Sequence, residues 1–368
     1  MIVSGTKLCL SDISGDDPII PEWFNFNGVI FDFIQEVKGA PDLDVLDSKA
    51  GNEKCVVLIK MQKMISILTS LKDKDKNYAD NFFGNKMFII HRRMETLLDI
   101  SNHFETLKEL DKIFSNYKPN IHVISDGFPD EKFKGIKMFK WIFSHHPGVF
   151  ISAKNHYIEA THHDRSPRHD YLCLAIMRDD RPHRKVLFKK LDAINLIKNG
   201  HINFHGGKFE DLQESIGDIH LKNLSWSEGV PSISLYNKIN FEIVCETFSG
   251  FDHDSFCLTE KTLKPISMKM PFVLVGTKDF LKHLRSLGFK TFNDLIDESY
   301  DSLPTLDERV SKACEQVSSI IGNGSEKFYN DARSICEHNY ENLGRLSADY
   351  RASFWRCMKE KVYPNLFQ

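Results

Sequence analysis

The chain has 368 residues, 41% of them hydrophobic and 27% charged, with a formal net charge of -3. That length exceeds what one hydrophobic core ordinarily serves, so two domains are expected, and the composition excludes a disordered or fibrous chain. The slight acidity excludes a protein that coats nucleic acid by bulk charge, although a local basic groove stays compatible with it. No apolar run approaches the roughly 20 residues of a membrane-spanning helix, so no membrane span is expected.

At the amino terminus, MIVSGTKLCLSDISGDD has a short apolar stretch with neither a basic leader nor an extended apolar run, and reads as mature protein. The first half then alternates β-rich runs with amphipathic stretches. Residues 55–59 (CVVLI) read as a strand, 61–71 as a helix, 87–90 as a strand, 94–117 as a long helix and 121–124 as a strand. Strand followed by helix followed by strand implies a parallel sheet covered by helices.

Residues 152–170 turn polar and His-rich, with Pro167, and form the best linker candidate. A second alternating series follows: strand 171–177, helix 182–198, strands 201–204 and 241–245, a helix after Thr259, strand 271–275 and helix 278–287. From Thr305 the pattern is helical, over 307–321, 325–338 and 340–362. The expected organisation is an N-terminal domain over 1–160, a second domain over 161–340, and a C-terminal helix over 341–368 that packs back on the first. Open sheets of this kind bind ligands outside the carboxyl ends of their strands.

Two stretches carry chemistry. In the first, a strand ends in Glu246 and a loop follows. A helix start then bears Thr259, Glu260 and Lys261, ahead of a buried strand ending at Gly276. Orphan N–H groups at a helix start attract anions, and Lys261 and Lys264 add positive charge beside them. Pro265 lacks an N–H and threatens to interrupt that helix, which would then begin near Lys264. In the second, Arg178, Arg181, Arg184 and Lys185 follow a strand at a helix start, where guanidinium forks match phosphate oxygens. Taken singly, each is more often an ordinary solvated charge, and it is their order along the chain that favours a shared role.

The ordered blocks Glu246, Thr259-Glu260-Lys261, Pro265-Ile266, Pro271-Phe272 and Gly276 resemble the donor-binding segment of family-10 α-1,3-fucosyltransferases and of related virus- and phage-encoded glycosyltransferases. Residues 288–301 (GFKTFNDLIDESYD) and the R-x-x-R-x-x-R of residues 178–184 are similar to the viral group. The resemblance spans roughly residues 171–309. It implies an α/β fold of the GT-B type, two Rossmann-like domains facing a cleft, with a helical C-terminus. It also implies that Glu260 contacts a donor ribose, Lys261 its pyrophosphate, and Glu246 the transferred sugar. Thr247 stands where the fucosyltransferases usually have Asn, which leaves the sugar open.

Glycosyl transfer builds negative charge on a departing diphosphate, so cationic stabilisation is the main requirement, here assigned to Arg178, Arg184 and Lys261. An attacking hydroxyl also needs a base, for which Asp126 after the strand 121–124 is the first candidate, ahead of Asp32 and His145. Asp252-His253-Asp254 has the form of a metal-binding DxD but reads as loop, and the histidines at 145, 146, 162, 163 and 169 match no standard metal site.

The expected activity is metal-independent transfer from a UDP- or GDP-sugar, with no prosthetic group. The acceptor is either a glycan or a hydroxymethylated base in phage DNA, for which Lys132 to Lys140 and His91-Arg92-Arg93 are the basic segments. A rival reading is a GT-B-fold protein that binds nucleotides or partners without catalysis. Eight scattered cysteines without CxxC pairs fit buried free thiols in a reducing compartment, hence a cytoplasmic location, that of the host if the chain is phage- or virus-encoded.

Overall fold

Short apolar runs joined through amphipathic helices build two separate parallel sheets. The computed structural model describes residues 2–11, 30–37, 55–59, 61–91, 103–117, 121–125, 127–128, 131–143, 165–175, 182–204, 236–246 and 256–357. The chain divides into two units, one of Met1–His146 with Ala352–Gln368 and the other of Pro147–Arg351.

The first unit contains strands β1 (Ile2–Ser11), β2 (Ile30–Val37), β3 (Cys55–Ile59), β4 (Lys86–His91), β5 (Ile121–Ser125) and β6 (Phe139–Phe143), with helices α1 (Met61–Leu71), α2 (Lys76–Asn85), α3 (Phe104–Phe114) and α4 (Glu131–Lys134). The strands form one parallel sheet in the order β2-β1-β3-β4-β5-β6. Periodicity drives α1 onto it: Met61, Met64, Ile67, Leu68 and Leu71 recur at helical spacing and are all buried. Phe82, Phe88, Phe114 and Phe133 join them in one core. Sequence reading did not anticipate β1 and β2. The helix expected over 94–117 is α3 followed by a 3-10 turn at Ser115–Tyr117, and residues 94–102 lie outside the described residues.

The second unit contains strands β7 (Tyr171–Ala175), β8 (Gly200–Phe204), β9 (Phe241–Cys245) and β10 (Phe272–Val275). Its helices are α5 (Pro182–Ala193), α6 (Glu260–Ser267), α7 (Phe280–Ser286), α8 (Leu306–Asn323), α9 (Ser325–Asp331) and α10 (Arg333–Cys357), the last of which passes into the first unit at Ala352. The sheet is parallel in the order β10-β9-β7-β8. Both faces of β9 are buried, as expected of a helix-covered strand, although Glu242 stands among its apolar residues. Phe241 meets Phe328 of α9 edge-on at 5.9 Å, and Phe328 meets Phe292, which packs on Phe272.

Polar side chains tie the strand starts together. Ser325 donates to Asp170 at 2.5 Å and accepts from Asn240 at 2.9 Å, while Asn199 donates to the other Asp170 oxygen. The backbone of Ser166, Arg168 and His169 donates to the carbonyls of Asn237 and Lys238, so residues 165–170, expected to close the linker, are bonded into this unit.

Three helix boundaries differ from the sequence expectation. α5 stops at Ala193 instead of reaching 198, because Asn195 takes a left-handed φ of 54° that ends the helix. α6 begins at Glu260 and runs through Pro265, so the later start near Lys264 does not occur. The break expected at 339 falls at Ala332, and α10 continues to Cys357. Among the described residues, no helix is long and apolar enough to cross a membrane.

Candidate functional site

The strand order of the second unit reverses direction between β7 and β9: the chain moves outward from β7 to β8 and then returns to lay β9 on the other side of β7. At such a switch point the connections leave in opposite directions and open a crevice outside the carboxyl ends of the two strands. The candidate residues from sequence flank that point. Arg178 and Arg181 belong to the connection between β7 and α5, outside the described residues, while Arg184 and Lys185 lie in the first turn of α5. Arg184 is buried at 5% exposure and Lys185 is exposed. On the other side, Glu246 directly follows β9 and continues its ladder, its N–H donating to Val275 at 2.9 Å.

Side chains alternate along a strand, so Glu242, Val244 and Glu246 share one face of β9. Glu246 is only 1% exposed, and its carboxylate is occupied by the start of α6. It accepts the Thr259 and Thr262 hydroxyls at 2.5 Å each and the Thr259 and Thr262 N–H groups at 3.3 Å. The hydroxyl contacts have the short length of charge-assisted bonds, and the amide contacts are long and weaker. Both Glu246 oxygens thus bond to the helix beside it.

Thr259 is the N-cap of α6, fully buried and extended, and its hydroxyl accepts the Lys261 N–H at 3.2 Å. The Leu263 N–H reaches the Thr259 carbonyl at 3.3 Å. With the amides of Lys261, Thr262 and Leu263 engaged, the helix start does not offer them to an anion. These amides are engaged by an internal cap built on Thr259 and Glu246. The Lys261 side chain is half-buried. Glu260 is the first residue of the helix, with its side chain outside the described residues.

Pro265 is tolerated because α6 has only eight residues and forgoes one internal bond. The chain recovers at once, with Met268 N–H on the Lys264 carbonyl at 3.0 Å and Met270 N–H on the Pro265 carbonyl at 2.8 Å. Lys264, expected beside the phosphates, is buried at 4% exposure, and its charge acts on Glu242. Burial pushes the Glu242 carboxyl up to about 7, against the opposing pull of Lys264 and of the Tyr236 hydroxyl that donates to it. Gly276 directly follows β10, where a Cβ would lie 2.8 Å from the Phe280 ring.

A groove of about 550 Å³ lies along α7, lined by Asp279, Lys282, Arg285, Asp297, Glu298 and Asp301 among others. Arg285 is already paired with Glu298 at 3.0 Å and donates to Thr291 at 2.7 Å. Four carboxylates against two cations make this a poor seat for a diphosphate. The segment 288–301 instead builds structure: Asp301 accepts the Leu281 N–H at 2.8 Å and caps α7, whose own N-cap residue Asp279 has a left-handed φ of 60° and no side-chain cap bond.

Asp126, His145, the Asp252-His253-Asp254 stretch and the histidines at 146, 162 and 163 lie outside the described residues, as do Arg92 and Arg93. Asp32 falls within β2, with its side chain outside the description. Lys132, Lys134, Lys137 and Lys140 are exposed. Among the described residues no group of three or more His, Cys, Asp or Glu side chains is arranged to hold a metal ion. Cys173, Cys245, Cys314 and Cys336 are buried free thiols, and burial pushes Cys314 and Cys336 up to about 12.

Sequence reasoning missed Thr262 and Glu242. Thr262 stands three residues after Thr259, one helical turn on, and Glu242 stands four before Glu246, an even spacing that places both acids on one strand face. No protein-family model matches the chain, and a search of curated proteins returns no match.

Proposed function

We propose that this chain is a nucleotide-sugar glycosyltransferase whose donor sits at the β7/β9 switch point of the second unit. The observation that carries the proposal is the strand order β10-β9-β7-β8. This order supports a donor crevice outside the carboxyl ends of β7 and β9, where α/β sheets of this topology bind nucleotides.

In this reading Lys261 and the Arg178, Arg181 and Arg184 series neutralise the charge that accumulates on the leaving diphosphate, and Glu260 holds the ribose hydroxyls. The two parallel-sheet units agree with a GT-B arrangement, in which the first unit brings the acceptor and Asp126 deprotonates its hydroxyl. The resemblance to family-10 and viral glycosyltransferases points the same way. Protein cations, with no metal ion, meet the electrostatic demand of the reaction.

Incubating the purified chain with UDP- and GDP-sugars, together with either oligosaccharides or hydroxymethylated DNA, tests the activity. Sugar transfer or donor hydrolysis that Arg178→Ala and Lys261→Ala each abolish is the expected result. A chain that binds the nucleotide yet releases no diphosphate with any acceptor is a binding protein and contradicts the proposal. For a DNA acceptor, turnover falls steeply with added salt, whereas a glycan acceptor leaves it nearly salt-independent.

A further inference from the structure

The α6 start contains two buried threonines with two charged residues close beside them. Thr259 and Thr262 are both 0% exposed, and both are bonded to the same carboxylate through hydroxyl and amide. Glu260 and Lys261 occupy the two positions between them. The Thr259 and Thr262 hydroxyls and amides all donate to Glu246, an arrangement that a carboxylate accepts on both oxygens and a side-chain amide on only one. The Thr259 hydroxyl is already committed as acceptor to the Lys261 N–H and as donor to Glu246. A shift of either threonine moves the backbone from which Glu260 and Lys261 emerge.

We propose that Glu246 is a positioning residue for Glu260 and Lys261, locking the backbone of residues 259–262 against β9 without touching the sugar. This rests on the donor-site reading above. The lock has a second consequence. Because the lock engages the amides of Lys261, Thr262 and Leu263, the affinity for the donor diphosphate depends on how well the turn presents the Lys261 side chain.

The test compares Thr262→Val, Thr262→Ser, Glu246→Gln and the double variant Glu246→Gln/Thr262→Val. The ligand is the UDP- or GDP-sugar that the unsubstituted chain binds most tightly. Titration gives affinity, and donor hydrolysis at saturation gives turnover. Thr262→Val lowers affinity about tenfold, Thr262→Ser restores it to within about twofold, and the double variant is no weaker than its weaker parent, as residues of one network behave. Turnover at saturating donor changes less than about threefold, and amide exchange at Lys261 speeds up in Thr262→Val.

Loss of turnover with unchanged affinity in Glu246→Gln, or additive losses in the double variant, overturns the proposal while the donor site stands. If Glu246→Gln does not fold, the Val and Ser pair at 262 decides alone. An unsubstituted chain that binds no nucleotide sugar overturns the donor-site reading and this proposal with it.

Discussion

Glu242 and Glu246 stand four residues apart on one face of the central region of the second sheet, and the fold satisfies them by opposite means. Glu246 meets four donors at the start of α6. Glu242 lies fully inside, with the Tyr236 hydroxyl donating to it and the charge of Lys264 near it. One strand face thus anchors α6 through both Glu246 at its first turn and Glu242 beneath Lys264.

Their difference gives a pH signature. The carboxyl of Glu242 is raised from 4.5 to about 7, chiefly by burial. Between those values the folded chain keeps a proton that the unfolded chain releases, so its contribution to stability is complete below 4.5 and is lost as pH rises through about 7. At 1.36 kcal/mol per unit the loss is roughly 3 kcal/mol. Asp301, raised from 3.8 to about 7 by burial, adds to the same slope. Urea unfolding at pH 5 and pH 8 is expected to show the unsubstituted chain weakening with pH and Glu242→Gln weakening less. Equal slopes contradict the assignment.

His201 works in the other direction. It is 8% exposed, its Nε2 is buried without a hydrogen-bond partner among the described residues, and burial, His169 and Lys238 lower its pKa below 6.5. The folded chain resists a proton that the unfolded chain takes up, so this contribution is present above 6.5 and is lost as pH falls below it. His201→Leu is expected to flatten the acid limb of the melting-temperature profile between pH 7 and pH 5. An unchanged limb rejects His201 as its source.

Asn339 ties α10 to the segment that follows α7. Its side chain accepts the Lys290 N–H at 2.7 Å and donates to the Lys290 carbonyl at 2.9 Å, and it is 1% exposed. Asn339→Ala leaves both backbone groups unpaired and is expected to cost about 2 kcal/mol in denaturant unfolding. Asn339→Asp keeps the acceptor but sets a buried carboxylate against the Lys290 carbonyl, and is expected to cost at least as much. A neutral Asn339→Ala contradicts the bridging role.

The sequence made the parallel-sheet class legible because the runs 55–59, 121–124, 201–204 and 241–245 each alternate with helical spacing. It failed where local pattern and long-range bonding part company. The β1 run mixes Ser, Gly, Thr and Lys among its apolar residues, and only pairing with β2 and β3 makes it a strand. Glu246 and Lys264 looked like ligand groups because their charge was visible, whereas the burial that commits them to Thr259, Thr262 and Glu242 depends on how α6 lies on β9. The Thr259 cap was readable from residue type alone, and the switch point between β7 and β9 required the strand order.

Isothermal titration of the unsubstituted chain and of Lys261→Ala with UDP-sugars and GDP-sugars tests the donor site most directly. The account predicts saturable binding of one nucleotide class by the unsubstituted chain, weakened at least tenfold by Lys261→Ala with the melting temperature of the free chain unchanged. Absence of binding to every nucleotide sugar, or equal binding by both chains, contradicts it.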